Sequence, residues 1–77
     1  MSNDDKLEKQ FLDSLAKRIA TLRKAKGITQ ERLAADADID RVALANIETG
    51  KRRPTVTTVY RIARALGIDV REVFSKL

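Results

Sequence analysis

Apolar side chains recur every three or four residues along the first third of the chain, at Leu7, Phe11, Leu15, Ile19 and Leu22. This spacing puts them on one face of an α-helix, so it predicts an amphipathic helix over residues 6–25. Gly27 follows and is typical of the residue that ends a helix. Because residues 1–5 carry no apolar anchor, they are predicted to be a disordered tail in front of a single domain, residues 6–77.

Capping residues predict two short helices in the middle of the chain. Thr29 can cap a second helix that ends near Ala37, and Asp40 can cap a third helix from Arg41 to about Thr49, ended by Gly50. Their apolar faces consist of Leu33, Ala34, Ala37, Leu44 and Ile47. Only two or three residues separate these helices, so the turn between them is tight.

In the last third of the chain, a capping residue followed by a predicted helix occurs twice more. Thr55 can cap a fourth helix that Gly67 ends, and Asp69 can cap a short fifth helix that runs through Phe74. The apolar stripe of the fourth helix consists of Val56, Val59, Ile62, Ala63 and Leu66. The whole pattern predicts an all-α domain of five helices.

Composition narrows the possible functions. The 77 residues are 43% hydrophobic and 35% charged, which supports one modest core. Three aromatic residues are too few for a platform that stacks single-stranded bases. Without Cys or His, disulfides, zinc fingers, thiol nucleophiles and imidazole bases are excluded. Carboxylate pairs such as Asp36 and Asp38 remain, but no Gly-rich phosphate loop accompanies them, so neither an enzyme nor a metal or cofactor is expected.

The chain has no feature of a secreted or membrane protein. The first ten residues are polar and include two adjacent Asp residues, unlike the apolar core of a signal peptide. No segment approaches the roughly 20 apolar residues that span a bilayer. A cytoplasmic protein without a membrane partner is therefore expected.

The net charge of +5 is concentrated in one segment. Residues 1–40 and residues 65–77 each sum to zero, whereas Glu48 is the only acidic residue in residues 41–64. The basic residues of that segment are Arg41, Lys51, Arg52, Arg53, Arg61 and Arg64. A localised basic surface attracts a polyanion by releasing its counterions, although a solvated face that serves solubility has the same composition.

Two short helices with a tight turn, followed by a basic loop, match the geometry that places one helix in the major groove of DNA. The residues predicted to face outward from the third helix are Arg41, Val42, Ala43, Ala45 and Asn46. Arg41 can pair with guanine, Asn46 with adenine, and Val42 or Ala43 can contact a thymine methyl group. The alternative is that these polar residues are simply solvated on an amphipathic helix.

Phosphate contacts are predicted on both sides of that helix. Lys51, Arg52 and Arg53 follow it on a loop, where long cationic side chains reach phosphates or a narrow minor groove. Thr29 and Gln30 stand at the positive end of the second helix, where an amide and a backbone N–H can bind phosphate. A solvated charge run remains the alternative for the loop.

The segment from about residue 14 to residue 75 resembles the lambda-repressor-like, or Cro/C1-type, helix-turn-helix family. The residues that carry the resemblance are Thr29-Gln30, Leu33-Ala34, Ile47-Glu48, Gly50, Pro54, Ile62-Ala63 and Ala65-Leu66-Gly67. It implies five helices, a phosphate contact from Gln30, and bases read by Arg41, Val42 and Asn46.

The resemblance also implies a partly buried ion pair between Arg23 and Glu48, which gives Glu48 a structural role. Two positions depart from the family's pattern. Asp38 stands where the family often has Gly in the turn, and Asp tolerates a left-handed backbone better than most residues. Asp40 adds a negative charge at the start of the third helix, which is expected to cost some affinity for DNA.

Four features together are similar to the controller proteins of restriction-modification systems: Asp40-Arg41, Ile47-Glu48, Gly50 and Arg53-Pro54. That similarity implies a homodimer on paired half-sites, which needs a self-complementary apolar patch. Candidate residues for the patch are Ile68, Val70, Val73, Phe74 and Leu77. The same residues would equally form ordinary core around the fifth helix.

The sequence therefore predicts a transcriptional regulator that binds double-stranded DNA as a homodimer on a pseudo-palindromic operator. An antitoxin-type regulator that also binds a protein partner is the alternative, with residues 1–10 as its only spare segment. A pure protein-interaction module is a third possibility, which the concentration of charge in residues 41–64 disfavours. No segment indicates a small-molecule ligand.

Overall fold

The computed structural model describes residues 3–77, and every regular element in that range is helical. The helices are α1 (Asn3–Ala25), α2 (Gln30–Ala37), α3 (Arg41–Glu48), α4 (Val56–Leu66) and α5 (Val70–Val73). The predicted all-α, five-helix fold is confirmed. Within this range no helix is long and apolar enough to cross a membrane.

The predicted caps begin the four later helices. The hydroxyl oxygens of Thr29 and Thr55 accept hydrogen bonds from the backbone N–H groups three residues later. The carboxylates of Asp40 and Asp69 accept from N–H groups two residues later. Each cap satisfies an N–H that the helix itself leaves without a partner. Local sequence thus sets where these helices start.

One apolar cluster holds the helices together. α2 packs against α3 and α4, while α1 packs against α3 and α5. The largest side chains that are fully buried in the cluster are Ile19, Leu33, Leu44, Ile62 and Val73. Because α2 and α3 bury their apolar faces in this cluster, their outer faces are held at a fixed relative orientation.

α1 begins three residues earlier than predicted. Asn3, Asp4 and Asp5 are helical, so this part of the predicted disordered tail is wrong. Two carboxylates in the first turn interact favourably with the positive end of the helix dipole, which the apolar pattern does not register. Residues 1 and 2 of the predicted tail lie outside the described residues.

The apolar pattern extends beyond the core at the starts of α1 and α4. Leu7 is 62% exposed and Phe11 is also exposed, although both continue the stripe of α1. Val56, predicted on the apolar stripe of α4, is 84% exposed. Periodicity predicts the face of a helix but not where the neighbouring helices stop covering it.

α3 and α5 each end one residue before the predicted end. Thr49 and Phe74 are the C-terminal caps of these helices. Val73, a candidate for the dimer patch, is fully buried, so it belongs to the core. α5 is held against α1 because the guanidinium of Arg18 donates to the backbone carbonyl of Glu72 at 3.0 and 3.1 Å.

Candidate nucleic-acid interface

The turn between α2 and α3 depends on a left-handed residue. Asp38 has φ 56° and ψ 47°, and its N–H donates to the carbonyl of Ala35. The N–H of Ile39 then donates to the carbonyl of Ala34 at 2.9 Å. Asp38 therefore adopts the conformation expected of it in place of Gly, and the two helices form a compact helix-turn-helix.

The first two turns of α3 expose the predicted base-contacting residues to different degrees. Arg41 and Val42 are exposed, whereas Ala43, Ala45 and Asn46 are half-buried. The remaining residues of the helix face the core, with Leu44 and Ile47 buried. The residues Arg41, Val42, Ala43, Ala45 and Asn46 together form what we call the α3 face.

Two acidic residues stand beside the α3 face. The carboxylate of Asp40 accepts hydrogen bonds from the N–H groups of Val42 and Ala43 at 3.0 and 3.2 Å, so the helix end partly compensates its charge. The carboxylate of Glu31 on α2 lies 3.8 Å from Nε of Arg41, and both side chains are exposed. Such an exposed pair is weak and leaves Arg41 able to move.

A buried ion pair joins α1 to α3. The guanidinium of Arg23 on α1 donates to both carboxylate oxygens of Glu48 on α3, at 2.8 and 3.0 Å. Only 12% of the Arg23 side chain and 4% of the Glu48 side chain are exposed. Hydrogen bonding to Glu48 raises the pKa of Arg23 above its ordinary value. The pair that the resemblance implied is thus present.

Two further polar groups form hydrogen bonds with this ion pair. Nη1 of Arg23 donates to the backbone carbonyl of Ile28 at 2.9 Å, and Nε2 of Gln30 donates to a Glu48 oxygen at 3.1 Å. The contact of Gln30 with Glu48 was not expected from the sequence, which predicted only a phosphate contact. Glu48 therefore ties α1, α2 and α3 together, and one N–H of the Gln30 amide is committed to it.

The basic loop, Lys51, Arg52 and Arg53, is anchored to α3 through its backbone. Gly50 has φ 79° and turns the chain back, so that the N–H groups of Lys51 and Arg52 both donate to the carbonyl of Asn46, at 2.9 and 3.1 Å. All three side chains of the loop are exposed. The backbone is fixed while the cationic side chains remain in solvent.

The basic excess seen in the sequence does not form one surface. Arg61 and Arg64 line a cleft with Asp36 and Asp38, at the end of α2. Arg53 of the basic loop donates to Glu8 on α1 at 3.1 Å. In the sequence the six basic residues of segment 41–64 form one group. The sequence does not indicate which carboxylates from other segments lie beside them in the folded protein.

Comparison with known proteins identifies this arrangement. A helix-turn-helix family model matches residues 19–73. The chain belongs to the Cro/C1-type helix-turn-helix family of DNA-binding transcriptional regulators. The matched segment contains the buried ion pair, the α3 face and the basic loop.

Individual relatives support the family. The uncharacterized HTH-type transcriptional regulator y4dJ of Sinorhizobium fredii is 44% identical over 50 residues, 65% of each chain. The chain thus spans just under two thirds of that regulator. The control protein C.MunI of a Mycoplasma species is 38% identical over 61 residues, 78% of this chain and 82% of that protein.

Solved structures show the same fold. The restriction-modification controller protein C.AhdI of Aeromonas hydrophila superimposes with a TM-score of 0.80 at 36% identity, over 82% of this chain and 96% of that one. The fold around the helix-turn-helix is therefore shared with a controller protein of similar size.

Proposed function

We propose that the chain recognises a pseudo-palindromic operator as a homodimer and acts in the cytoplasm without catalytic activity or a cofactor. The observation that carries the proposal is the rigid link between the α3 face and the basic loop, through the carbonyl of Asn46. One element can thus enter the major groove while the other holds the backbone in register.

Sequence would be read from the exposed start of α3. Arg41 has a fork of donors that fits O6 and N7 of guanine, and Asn46 has the donor and acceptor pair that fits adenine. Val42 and Ala43 offer apolar contacts to a thymine methyl group, with Ala45 small enough to let the helix approach closely. Arg41 must leave Glu31 to reach a base, and their 3.8 Å contact is weak enough to allow this.

Phosphates would be bound on both sides of α3. The amide nitrogen of Gln30 carries two hydrogens, and Glu48 accepts only one of them. The second hydrogen and the hydroxyl of Thr29 are our proposed phosphate contacts at the start of α2. Lys51, Arg52 and Arg53 would bind phosphates on the other side.

A homodimer would double the small number of base contacts that one short helix provides. With Val73 in the core, the proposed self-complementary patch consists of Ile68, Val70, Phe74 and Leu77. Phe74 and Leu77 are exposed and Ile68 and Val70 are partly buried against the core. C.AhdI and C.MunI are a controller and a control protein by name, and we propose the same role here.

The decisive test is selection from a randomised duplex library at near-physiological salt, with the Arg41→Ala variant in parallel. We expect a two-fold symmetric motif, and we expect Arg41→Ala to lose discrimination at one base pair per half-site, by about 1–3 kcal/mol. Arg32→Ala is the matched control, because Arg32 is an exposed arginine of α2 that pairs with Asp36.

Each result of the selection has a defined meaning. A symmetric motif that Arg32→Ala leaves unchanged supports the proposal. An asymmetric motif would contradict the dimer, and an unchanged motif with Arg41→Ala would contradict the role of that residue. No enriched motif would contradict sequence-specific recognition altogether.

An antitoxin-type regulator that also binds a protein is the second candidate. Leu7 and Phe11 are exposed and four residues apart, so they share one face of α1. An exposed apolar face on a helix is typical of a contact with another protein. Co-purification of a defined partner that Leu7→Ser releases, with DNA affinity unchanged, would support this candidate.

A further inference from the structure

The N-terminal part of α1 is unusual because it contributes nothing to the core. Residues 3–11 are exposed throughout, and the first buried residue of the helix is Leu15. The segment is nevertheless helical and carries three carboxylates, on Asp4, Asp5 and Glu8. Its helical form therefore sets where these charges lie without burying apolar surface.

Two of those carboxylates, on Asp5 and Glu8, line a cleft with the basic loop. Asp13 of α1 also lines this cleft, together with Arg52 and Arg53, and Asp13 is paired with Lys9 of the same helix at 2.9 Å. Within the cleft the Arg53 guanidinium donates to the carboxylate of Glu8 at 3.1 Å, across 45 residues of sequence. The structure thus pairs one cation of the proposed phosphate-binding loop with a carboxylate of its own chain.

We infer that Glu8 competes with DNA phosphate for Arg53 and so lowers the affinity of the protein for DNA of any sequence. The inference rests on the proposed phosphate contact of the basic loop. A carboxylate and a phosphate each offer anionic oxygens to a guanidinium, so Glu8 and a phosphate compete for the donors of Arg53. Both side chains are largely exposed, at 70% for Arg53 and 57% for Glu8, so exchange between the two partners is unobstructed.

The competition affects phosphate binding and not base recognition. The contact lies on the loop, and a phosphate contact carries no sequence information directly. Glu8 therefore weakens binding to random DNA and to an operator by the same factor. Random sites vastly outnumber operators in a genome, so they bind much of the protein. Weaker binding to random DNA reduces the fraction of the protein that is bound there.

The test is the affinity of Glu8→Gln for a random-sequence duplex over a series of salt concentrations. An exposed pair of this kind is expected to change affinity by about 1.4- to fivefold, so Glu8→Gln should bind more tightly by about that factor. One further phosphate becomes neutralised, so the slope of log K against log salt should steepen by up to about 0.9 per subunit.

Two further variants isolate the cause. Arg53→Ala should weaken binding, and in that background Glu8→Gln should no longer tighten it. Asp36→Asn is the matched control, because it also neutralises an exposed carboxylate and frees an exposed arginine, Arg32, but on α2 instead of the basic loop. Glu8, Asp36 and both arginines are exposed, so all variants are expected to fold, which thermal unfolding checks.

The outcomes separate the inference from the proposed function. If Arg53→Ala weakens binding but Glu8→Gln leaves it unchanged or weakens it, the competition is disproved while the loop contact stands. If Asp36→Asn tightens binding as much as Glu8→Gln does, the effect is one of net charge and the inference is also wrong. If Arg53→Ala has no effect, the proposed loop contact fails first and the inference falls with it.

Discussion

The molecule contains two arginine–glutamate pairs that are alike in chemistry and opposite in surroundings. Arg23 and Glu48 meet at 2.8 Å in the interior, where Gln30 and a backbone carbonyl complete their hydrogen bonds. Arg53 and Glu8 meet at 3.1 Å with most of both side chains in solvent. Each pair joins α1 to the DNA-binding part of the chain.

The difference in burial decides what each pair can do. In the interior a charge that loses its partner has no water to replace it, so the Arg23–Glu48 pair stays closed and holds α3 on the core. At the surface water and phosphate both replace a partner at small cost, so the Arg53–Glu8 pair is exchangeable. The buried pair fixes the position of α3 on the core, and the exposed pair adjusts the affinity for DNA.

The largest expected effect is on stability, from opening the buried pair. Glu48→Ala leaves the Arg23 guanidinium buried without a counter-charge, so the free energy of unfolding should fall by about 3 kcal/mol. Urea unfolding followed by circular dichroism measures this. The double variant Arg23→Met/Glu48→Leu, which removes both charges, should recover most of the loss. If Glu48→Ala lowered the free energy of unfolding by less than about 1 kcal/mol, as expected for an exposed pair, burial would not distinguish the two pairs.

The exposed pair should scarcely matter to stability. We expect Glu8→Gln to change the free energy of unfolding by less than about 1 kcal/mol in the same urea experiment, because water solvates both groups when they part. Destabilisation comparable to that of Glu48→Ala would mean that Glu8 has a structural role.

The smallest expected effect concerns a third pair, local to the start of α5. Hydrogen bonds from the side chain and the backbone N–H of Arg71 lower the pKa of Asp69 from 3.8 to about 2. The carboxylate therefore stabilises the folded state above its ordinary pKa, and this contribution disappears as the pH falls through about 2. The difference in melting temperature between the protein and Asp69→Asn should shrink between about pH 4 and pH 2. A difference that is constant over this interval would contradict the assignment.

Local sequence features predicted most of the fold. The caps Thr29, Asp40, Thr55 and Asp69 start helices where expected, because a side chain that binds the backbone two or three residues later needs nothing from the rest of the molecule. Asp38 was likewise correctly expected to accept the left-handed turn. Periodicity also identified the buried faces of the central helices.

What the sequence did not predict depends on contacts between distant segments. The partners of Arg53 and Gln30 lie 45 and 18 residues away, so no local pattern indicates them. Leu7 and Val56 continue apolar stripes past the edge of the core, and only the packed structure shows where that edge is. Which DNA contacts each residue of the α3 face makes remains a prediction.

The carbonyl of Asn46 has a consequence for how such a protein could change its target. Since it accepts hydrogen bonds from two successive amides of the basic loop, it holds the backbone of the loop against α3, and with it the proposed phosphate contacts beside the proposed base contacts. The side chains at positions 41 and 42 could then be replaced without changing the proposed contacts of the basic loop with DNA phosphates. New operator preferences would be accessible by single substitutions, whereas inserting one residue after Gly50 would put the two halves of the interface out of step.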